Sequence, residues 1–252
     1  MTTLQWLAGS YAGAAFLAWL ACACIFGLWI GRAFDTRRVP PARRARTAAW
    51  LIAAGAAVFA LIAVNVVTES RLVLLDHAIA QALASHASAA WLRALALLTM
   101  AGDRAFLFAL GAAVLAFLLL RRRWADAGFW LAGTLGASGL NVLLKHAFRR
   151  IRPEHLHGYT QELGWSFPSG HATGSMAVYG LLAYLAISAM PAAWRPGLTM
   201  AAAALIAAIG YSRVILQVHY LSDVVAAFAV TGAWMLGIIR LRERALASSG
   251  SR

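Results

Sequence analysis

Long stretches without charge are the feature that most limits what this chain can fold into. Residues 11–30 contain no Asp, Glu, Lys or Arg, and a run of about 20 apolar residues is long enough to cross the hydrocarbon core of a bilayer. Hydrophobic residues make up 62% of the chain, well above the roughly 45–50% of soluble domains. A segment in lipid must satisfy its own backbone hydrogen bonds, so spanning segments are helices. The sequence therefore predicts an all-α, polytopic transmembrane helix bundle.

About seven segments are candidate spans. They are 11–30, 48–68, 104–120, 127–144, 172–190, 197–213 and 223–240. The third, sixth and seventh have clean apolar cores shorter than the usual ~20 residues, so we expect flanking residues or a thinner bilayer to complete them. Gly133, Gly136 and Gly139 in the fourth span predict close approach to neighbouring helices.

The positions of the arginines predict the orientation of the bundle. Basic residues cluster in 32–47, at 121–123 and in the tail after 240, and an odd number of spans puts these segments on one side. By the positive-inside rule that side is cytoplasmic, so the N-terminus is expected outside and the C-terminus inside. Because the arginines separate apolar runs and do not form a stripe on one face, the net charge of +13 does not indicate nucleic-acid binding.

Segments outside the spans carry weaker predictions. Apolar residues at helical spacing within 69–103 favour a helix lying flat in the outer interface. They are Leu72, Leu75, Ile79 and Leu83. Asp103 is expected to cap the helix that follows, and His77 and His86 are expected to contact solvent or lipid headgroups.

The N-terminal region offers no sign of a metal site or a signal peptide. Cys22 and Cys24 lie inside the first span, and the chain has no further cysteine to complete a zinc site. We expect them to be small apolar filler. Residues 1–10 carry no charge, whereas a signal peptide begins with a positive segment.

Three groups of polar residues fall on the side opposite to the arginine clusters. They are Lys145-x6-Arg152-Pro153 at the end of the fourth span, Pro168-Ser169-Gly170-His171 at the start of the fifth, and Ser212-Arg213-x5-His219-x3-Asp223 between the sixth and seventh. Because the predicted topology depends on the charge distribution alone, the common side of these three groups is an independent indication that they form one site.

The residue types in these groups fit the binding of phosphate. Lys145, Arg152 and Arg213 supply three cations, and the planar forks of the two arginines match phosphate oxygens. Ser169 and Gly170 start a helix, whose free N–H groups and positive dipole end favour an anion. Gly170 has no side chain, so an anion can approach the backbone there.

Two histidines add proton transfer and nucleophilic attack. His219 and Asp223 are adjacent if they are helical, and the carboxylate can hold one ring nitrogen protonated while the other attacks. His171 is suited to protonating a leaving oxygen. Each motif alone is more often a helix anchor, a surface pair or a turn. Their combination on one membrane face is what indicates a phosphate-processing site.

With these motifs the sequence resembles the type 2 phosphatidic acid phosphatases, which include lipid phosphate phosphatases and share a core with vanadium haloperoxidases. The family signature is Lys-x6-Arg-Pro, Pro-Ser-Gly-His and Ser-Arg-x5-His-x3-Asp, and this chain matches it in order and spacing across roughly 70–240. The resemblance implies a six-helix phosphatase core in 48–240. Residues 1–47 would be an additional N-terminal helix with a basic cytoplasmic loop, and 241–252 a cytoplasmic tail.

The resemblance also implies a role for each residue. His219 would form a phosphohistidine, Asp223 would orient it, and His171 would be the acid for the leaving group and then the base for water. Five further residues would hold the phosphate and its transition state. They are Lys145, Arg152, Ser169, Gly170 and Arg213. Neither a metal ion nor another cofactor is expected.

Two parts of the chain are less typical of the family. Gln217 and Leu221 stand where many relatives have Gly and Pro, which puts the details of substrate fit in question. The side chains of the segment 154–167 could touch the lipid headgroup or merely lie in the membrane interface, and we favour the interface. Its notable side chains are His155, His157, Glu162 and Trp165.

The expected reaction is hydrolysis of a lipid phosphomonoester or diphosphate in a bacterial cytoplasmic (inner) membrane, with the site on the extracytoplasmic side. A lipid phosphotransferase would use the same site, with a second lipid in place of water. The intact motifs disfavour a catalytically silent scaffold or transporter, and vanadate-dependent oxidation is disfavoured because those relatives are soluble. Undecaprenyl diphosphate, phosphatidylglycerol phosphate, phosphatidate and lipid A phosphate stay open as substrates, and the oligomeric state is not indicated.

Overall fold

The computed structural model describes residues 3–84, 88–154, 158–159 and 162–249. Within these ranges the chain forms nine α-helices and two short 3-10 helices, with no β-strand. The α-helices are α1 (Thr3–Ala33), α2 (Pro41–Val67), α3 (Arg71–Ala84), α4 (Ala89–Thr99), α5 (Arg104–Leu120), α6 (Trp124–Phe148), α7 (Gly170–Ile187), α8 (Arg195–Ile215) and α9 (Leu221–Ser249). The all-α fold predicted from the apolar segments is therefore confirmed.

Six helical segments of the described chain are long and apolar enough to cross a membrane. One of them, Ala89–Leu120, combines α4 and α5 with the 3-10 turn between them, so the short apolar core of 104–120 is extended at its start. The short cores of 197–213 and 223–240 are extended too, because α8 and α9 continue beyond both predicted ends. The chain is an integral membrane protein by this length and composition.

The predicted span 172–190 corresponds to α7, an 18-residue helix enclosed by its neighbours. It contacts α5, α6, α8 and α9, and Ala172 and Leu181 are completely buried. Its first turns carry Gly, His, Thr and Ser, and α7 is not among the six segments above. A seventh crossing therefore stays a prediction.

The first helix runs antiparallel to α8. Trp19 Nε1 donates to the carbonyl of Ala207 at 2.9 Å, and further along α1 the backbone of Gly27 lies against Ala203. Residues later in α1 thus lie beside residues earlier in α8. The start of α1 consequently lies beside the end of α8.

The arginine-rich segments meet at one end of the bundle. Arg44 of α2 lies 3.6 Å from Glu243 near the end of α9. Asp126 at the start of α6 accepts from Arg123 at 2.6 Å and also pairs with Arg242 of α9. The basic clusters that the sequence predicts to share a membrane side do share an end. The cellular side that this end faces stays a prediction.

The opposite end is covered by α3 and α4. The helix predicted within 69–103 from the spacing of its apolar residues corresponds to α3, and the same segment contains a second helix, α4. Leu92 of α4 packs with Val218 in a buried cluster, and Gln217 Nε2 donates to the carbonyl of Ala80 in α3 at 2.7 Å. Both helices thus hold the turn that joins α8 to α9.

Two smaller predictions concern this same end. Asp103 caps α5, as predicted, because its carboxylate accepts from the Ala105 backbone N–H at 2.8 Å. His77 is exposed and lies against the ring of Tyr220. His86 lies outside the described residues.

Two of the three predicted close-packing glycines in α6 behave as expected. A Cβ on Gly133 would lie 2.3 Å from Leu181, and one on Gly136 would lie 2.2 Å from the ring of Trp234. Both distances are impossible for real side chains. The prediction is wrong for Gly139, whose Cβ would meet nothing within 4 Å.

Candidate active site

The three polar motifs meet at the end of the bundle opposite to the arginine clusters. Lys145 is in the last turn of α6, Ser169 caps the start of α7, Arg213 is in the last turn of α8 and Asp223 is in the first turn of α9. Direct contacts join the motifs: the Ser169 N–H donates to the Asp223 carbonyl at 3.1 Å, and Arg152 reaches His219. Four helix ends thus build one site.

His219 lies in the turn before α9 and not on that helix, contrary to the shared helix face suggested by the spacing. Asp223 is the third residue of α9, and its Oδ2 accepts from the Tyr220 backbone N–H at 3.0 Å, which is one half of a capping box. The same oxygen lies 3.3 Å from His219 Nδ1. The helix cap therefore creates the histidine–carboxylate pair.

The second ring nitrogen of His219 faces the cations. Nε2 lies 3.0 Å from Arg152 Nη1. Burial lowers the pKa of His219 well below its usual 6.5, and the charges of Arg152 and Lys145 act in the same direction against the hydrogen bond with Asp223. The ring is therefore neutral near pH 7. With the proton on Nδ1 towards Asp223, the lone pair is on Nε2.

Asp223 is completely buried and is supported by two residues that the motifs do not contain. Arg150 Nη1 donates to Oδ1 at 2.6 Å, and the hydroxyl of Ser166 donates to Oδ2. With Tyr220 and His219, both carboxylate oxygens are occupied by donors. A buried carboxylate needs this many partners to stay ionised.

A second buried carboxylate, Asp76, completes the surroundings of Arg150. Asp76 Oδ2 lies 2.8 Å from Arg150 Nη2, and Asp76 also accepts from the backbone N–H of Ser222 at 3.1 Å. The sequence does contain a signal for it. Asp76 shares a face of α3 with Leu72 and Ile79, and a carboxylate on an apolar face has to find a buried partner.

Two of the three predicted cations are held by carbonyl oxygens. Lys145 Nζ donates to the Trp165 carbonyl, and Arg152 donates to the carbonyls of Gly164 at 2.9 Å and Val218 at 2.7 Å. Carbonyls orient these groups without cancelling their charge. Both cations therefore stay available to an anion.

The third cation, Arg213, is paired with a carboxylate that the motifs do not contain. Arg213 is only 1% exposed. Its Nη1 donates to Thr99 at 2.9 Å, and its Nη2 donates to Glu162. Its Nε has no hydrogen-bond partner among the described residues. Glu162 also lies 3.4 Å from His171 Nδ1 and 4.0 Å from Arg152. Glu162 is thus an internal anion at the point where the cations converge.

The contacts of Glu162 favour the alternative for segment 154–167, in which its side chains take part in the site. A carboxylate that contacts Arg213 and His171 belongs to the site. The backbone of Gly164 and Trp165 also takes part through the carbonyls that hold Arg152 and Lys145. His155 and His157 lie outside the described residues.

The start of α7 has the geometry that the sequence predicts. Ser169 is the N-cap, and its hydroxyl accepts from the Ala172 N–H at 3.4 Å. A Cβ on Gly170 would lie 3.9 Å from Cε of Lys145, so the glycine borders this cation. The first N–H groups of a helix have no partner within it, and they favour an anion beside Lys145.

Gln217 adopts a backbone conformation that favours glycine. Its φ of +56° lies in the left-handed region, where side chains other than glycine are strained. Its hydrogen bond to Ala80 offsets part of that strain and ties the turn before His219 to α3.

Glu162 lines two cavities. The larger, of about 550 Å³, is lined by Arg93, Leu97, Met100, Asp103, His171 and Arg213, among others. The smaller, of about 380 Å³, is lined by Ile151, Arg152, Pro153, Gly164 and Trp165, with Glu162. The larger cavity is the one that contains His171.

Comparison with known sequences matches the part of the chain that builds this site. A family model described as the PAP2 superfamily matches residues 126–246, which include all three motifs. The part of the chain that holds the motifs therefore belongs to the PAP2 superfamily. The family resemblance drawn from the motifs is thereby confirmed.

The chain is similar to several bacterial lipid phosphatases. It is 32% identical over 93 residues to phosphatidylglycerophosphatase B of Bacillus subtilis, covering 36% of this chain and 45% of the relative. It is 36% identical over 117 residues to lipid A 1-phosphatase of Rhizobium johnstonii, covering 42% and 44%. It is 34% identical over 131 residues to decaprenylphosphoryl-5-phosphoribose phosphatase of Mycobacterium tuberculosis, covering 50% and 66%. The matches to the first two relatives thus span about half of their length.

The fold also matches a solved PAP2 structure. The crystal structure of the transmembrane PAP2-type phosphatidylglycerolphosphate phosphatase from Bacillus subtilis aligns with a TM-score of 0.71 and 24% identity. The alignment covers 77% of this chain and 97% of that one. At this identity the likeness shows a common fold.

Proposed function

We propose that this protein is a lipid phosphate phosphatase that hydrolyses a phosphomonoester or diphosphate through a phosphohistidine at His219. The observation that carries the proposal is the setting of His219. Its Nδ1 faces the buried Asp223 while its Nε2 faces Arg152, one of three cations suited to phosphate. The names of the similar proteins, all phosphatases of lipids or lipid-linked sugars, support this assignment.

Phosphate binding would exchange partners that the cations already have. The phosphate oxygens would replace Glu162 on Arg213 and also meet the free Nε, because Nε and Nη2 form one bidentate edge of the guanidinium. The contact of Arg152 with His219 Nε2 would give way to contacts with the phosphate. Lys145 and the N-terminus of α7 would complete the binding of the oxygens.

The first chemical step would form the bond from His219 Nε2 to phosphorus and break the bond from phosphorus to the leaving oxygen. The imidazolium that results is stabilised by the negative charge of Asp223. Burial and the charge of Arg213 lower the pKa of His171 to about 3, so His171 would take up a proton together with the anionic phosphate, whose negative charge offsets both effects. That proton would pass to the leaving oxygen, which departs as an alcohol or as a lipid monophosphate. The cations would hold the negative charge of the equatorial oxygens.

The second step would reverse these roles with water. His171, now neutral, would take a proton from water, whose oxygen attacks phosphorus as the N–P bond breaks. Inorganic phosphate then leaves and His219 is neutral again. The larger cavity, which contains His171, would hold the leaving group in the first step and admit water in the second.

The experiment that tests this proposal measures phosphate release by the purified protein in detergent. The panel contains undecaprenyl diphosphate, phosphatidylglycerol phosphate, phosphatidate and lipid A phosphate, each with wild-type protein and with His219→Ala. Release from at least one lipid by the wild type alone is expected. Wild-type protein that releases no phosphate from any of them, or transfers it only to a second lipid, would contradict hydrolysis.

A further inference from the structure

Arg150 is a buried cation that has no role in the two proposed chemical steps. It is 9% exposed, and its two Nη atoms point at different carboxylates: Nη1 at Asp223 Oδ1 (2.6 Å) and Nη2 at Asp76 Oδ2 (2.8 Å). Its guanidinium also lies over the ring of Tyr220, 4.2 Å from the centroid. Such a cation is fixed in one orientation.

Asp76 is fixed just as firmly on the far side of Arg150. It is 3% exposed and accepts from both the backbone N–H and the hydroxyl of Ser222, the residue next to Asp223. The Asp76–Arg150 pair therefore joins three parts of the chain: α3, the segment after α6, and the first turn of α9. All of these contacts lie behind Asp223, away from the phosphate cations.

The alternating charges of Asp76, Arg150 and Asp223 determine how much negative charge faces His219. Without Arg150, Asp76 and Asp223 would be two buried carboxylates beside a neutral histidine, and one of them would take up a proton. Without Asp76, the full positive charge of Arg150 would oppose the positive charge that forms on His219. Asp76 balances Arg150, so the negative charge of Asp223 stays available to the imidazolium.

We propose that Asp76 and Arg150 are positioning residues of the reaction, which act through Asp223 to keep it ionised and directed at His219. This inference rests on the proposed function, because it concerns the step that forms the phosphohistidine. The pair touches neither the phosphate nor the leaving group. It should therefore affect the rate of phosphoryl transfer and leave the affinity for phosphate unchanged.

The test compares Arg150→Gln with Arg149→Gln, which removes the same charge from the neighbouring, exposed residue. Phosphoenzyme formation is measured by rapid quench, and ground-state binding at the phosphate site by the dissociation constant of inorganic phosphate. In Arg150→Gln we expect phosphoenzyme formation to slow by about 10- to 100-fold, similar to the cost of losing a residue that orients a metal ligand. Affinity for inorganic phosphate should change less than about threefold, with Arg149→Gln like the wild type in both measurements.

Asp76→Asn gives the second arm, with the exposed Glu69→Gln near the start of α3 as its control. The amide keeps the shape of Asp76 and removes the charge that balances Arg150. Phosphoenzyme formation should slow while affinity for inorganic phosphate is kept. Equal loss of phosphate affinity in Arg150→Gln and Asp76→Asn would show that the pair only holds the fold together, and would overturn the inference.

A double-mutant cycle addresses variants that fold poorly. If Arg150 acts through Asp223, adding Arg150→Gln to Asp223→Asn should slow the reaction less than about threefold further. A rate reduction in the double mutant equal to the product of the two single-mutant reductions would overturn the inference.

A second double variant, Asp76→Leu combined with Arg150→Met, removes both charges together, which buried ion pairs often tolerate. This variant should fold, bind inorganic phosphate and remain slow; a wild-type rate would also overturn the inference. Failure of the wild type to form any phosphoenzyme would instead contradict the proposed function.

Discussion

At the residue scale, His219 and His171 differ in what their Nδ1 atoms face. His219 faces the buried Asp223, whereas His171 faces Glu162, a loop carboxylate that also pairs with Arg213. We expect His219→Ala to abolish both turnover and phosphoenzyme formation, because the nucleophilic nitrogen is lost. Rapid-quench trapping with a radiolabelled substrate measures this. A phosphoryl group trapped in the His219→Ala protein would show that the roles are reversed.

His171→Ala should have a different effect, which depends on the leaving group. Natural substrates with alkoxide leaving groups need a proton, so their cleavage should slow by about 100-fold or more. With p-nitrophenyl phosphate, whose leaving group needs little acid, the first step should partly recover. Phosphohistidine should then accumulate near neutral pH, because the base for water is missing as well. The exposed His146→Ala is the control; a uniform loss on all substrates without accumulation would contradict the acid–base role.

The residues of this site divide into those that sequence could predict and those it could not. All eight predicted residues lie in motifs of short, regular spacing, and the fold brings them together. Asp76, Arg150 and Glu162 are joined to the site by packing between distant segments, such as the 73 positions from Arg150 to Asp223. The apolar face of α3 indicates that Asp76 needs a buried partner but does not identify Arg150 as that partner. For Glu162 no periodicity marks the loop that carries it.

At the scale of helices, α6 offers a test of close packing. Gly136→Ala would place a methyl group against the ring of Trp234, and such overpacking costs about 1–3 kcal/mol. Gly139→Ala on the same helix faces open space and gains up to ~1 kcal/mol of helix propensity. We expect Gly136→Ala to lower the midpoint of thermal unfolding in detergent and Gly139→Ala to leave it unchanged or raise it. Equal midpoints would contradict the contact between α6 and α9.

Helix positions were predictable and helix ends were not. Apolar runs locate the cores of the spans, because every residue facing lipid has to be apolar. Apolar runs do not mark the ends of α8 and α9, which extend beyond these runs. Residues near those ends are polar or are packed against neighbouring helices, so they do not have to be apolar to face lipid. The division of 69–103 into α3 and α4 depends on their packing against the turn around Val218, which is distant in sequence.

At the scale of the whole protein, the site supplies its own cations. In the part of the chain that the structure describes, no group of three or more His, Cys, Asp or Glu could hold a metal ion. Lys145, Arg152 and Arg213 can stabilise the transferring phosphoryl group without one. We expect full activity in excess EDTA, measured as phosphate release in detergent with an inactive His219→Ala blank. Activity that is lost in EDTA and restored only by Mg²⁺ would contradict the mechanism.

The last prediction concerns the orientation of the whole bundle in the membrane. The site and the start of α1 share one end, and the basic clusters meet at the other, which the positive-inside rule places in the cytoplasm. In a Cys22→Ser/Cys24→Ser background, Glu154→Cys lies at the site end and Ser248→Cys near the end of α9, and both positions are exposed. An impermeant thiol reagent added to intact cells should label position 154 at once and position 248 only after permeabilisation. Labelling of position 248 alone from outside would mean that the bundle is inverted and that the site faces the cytoplasm.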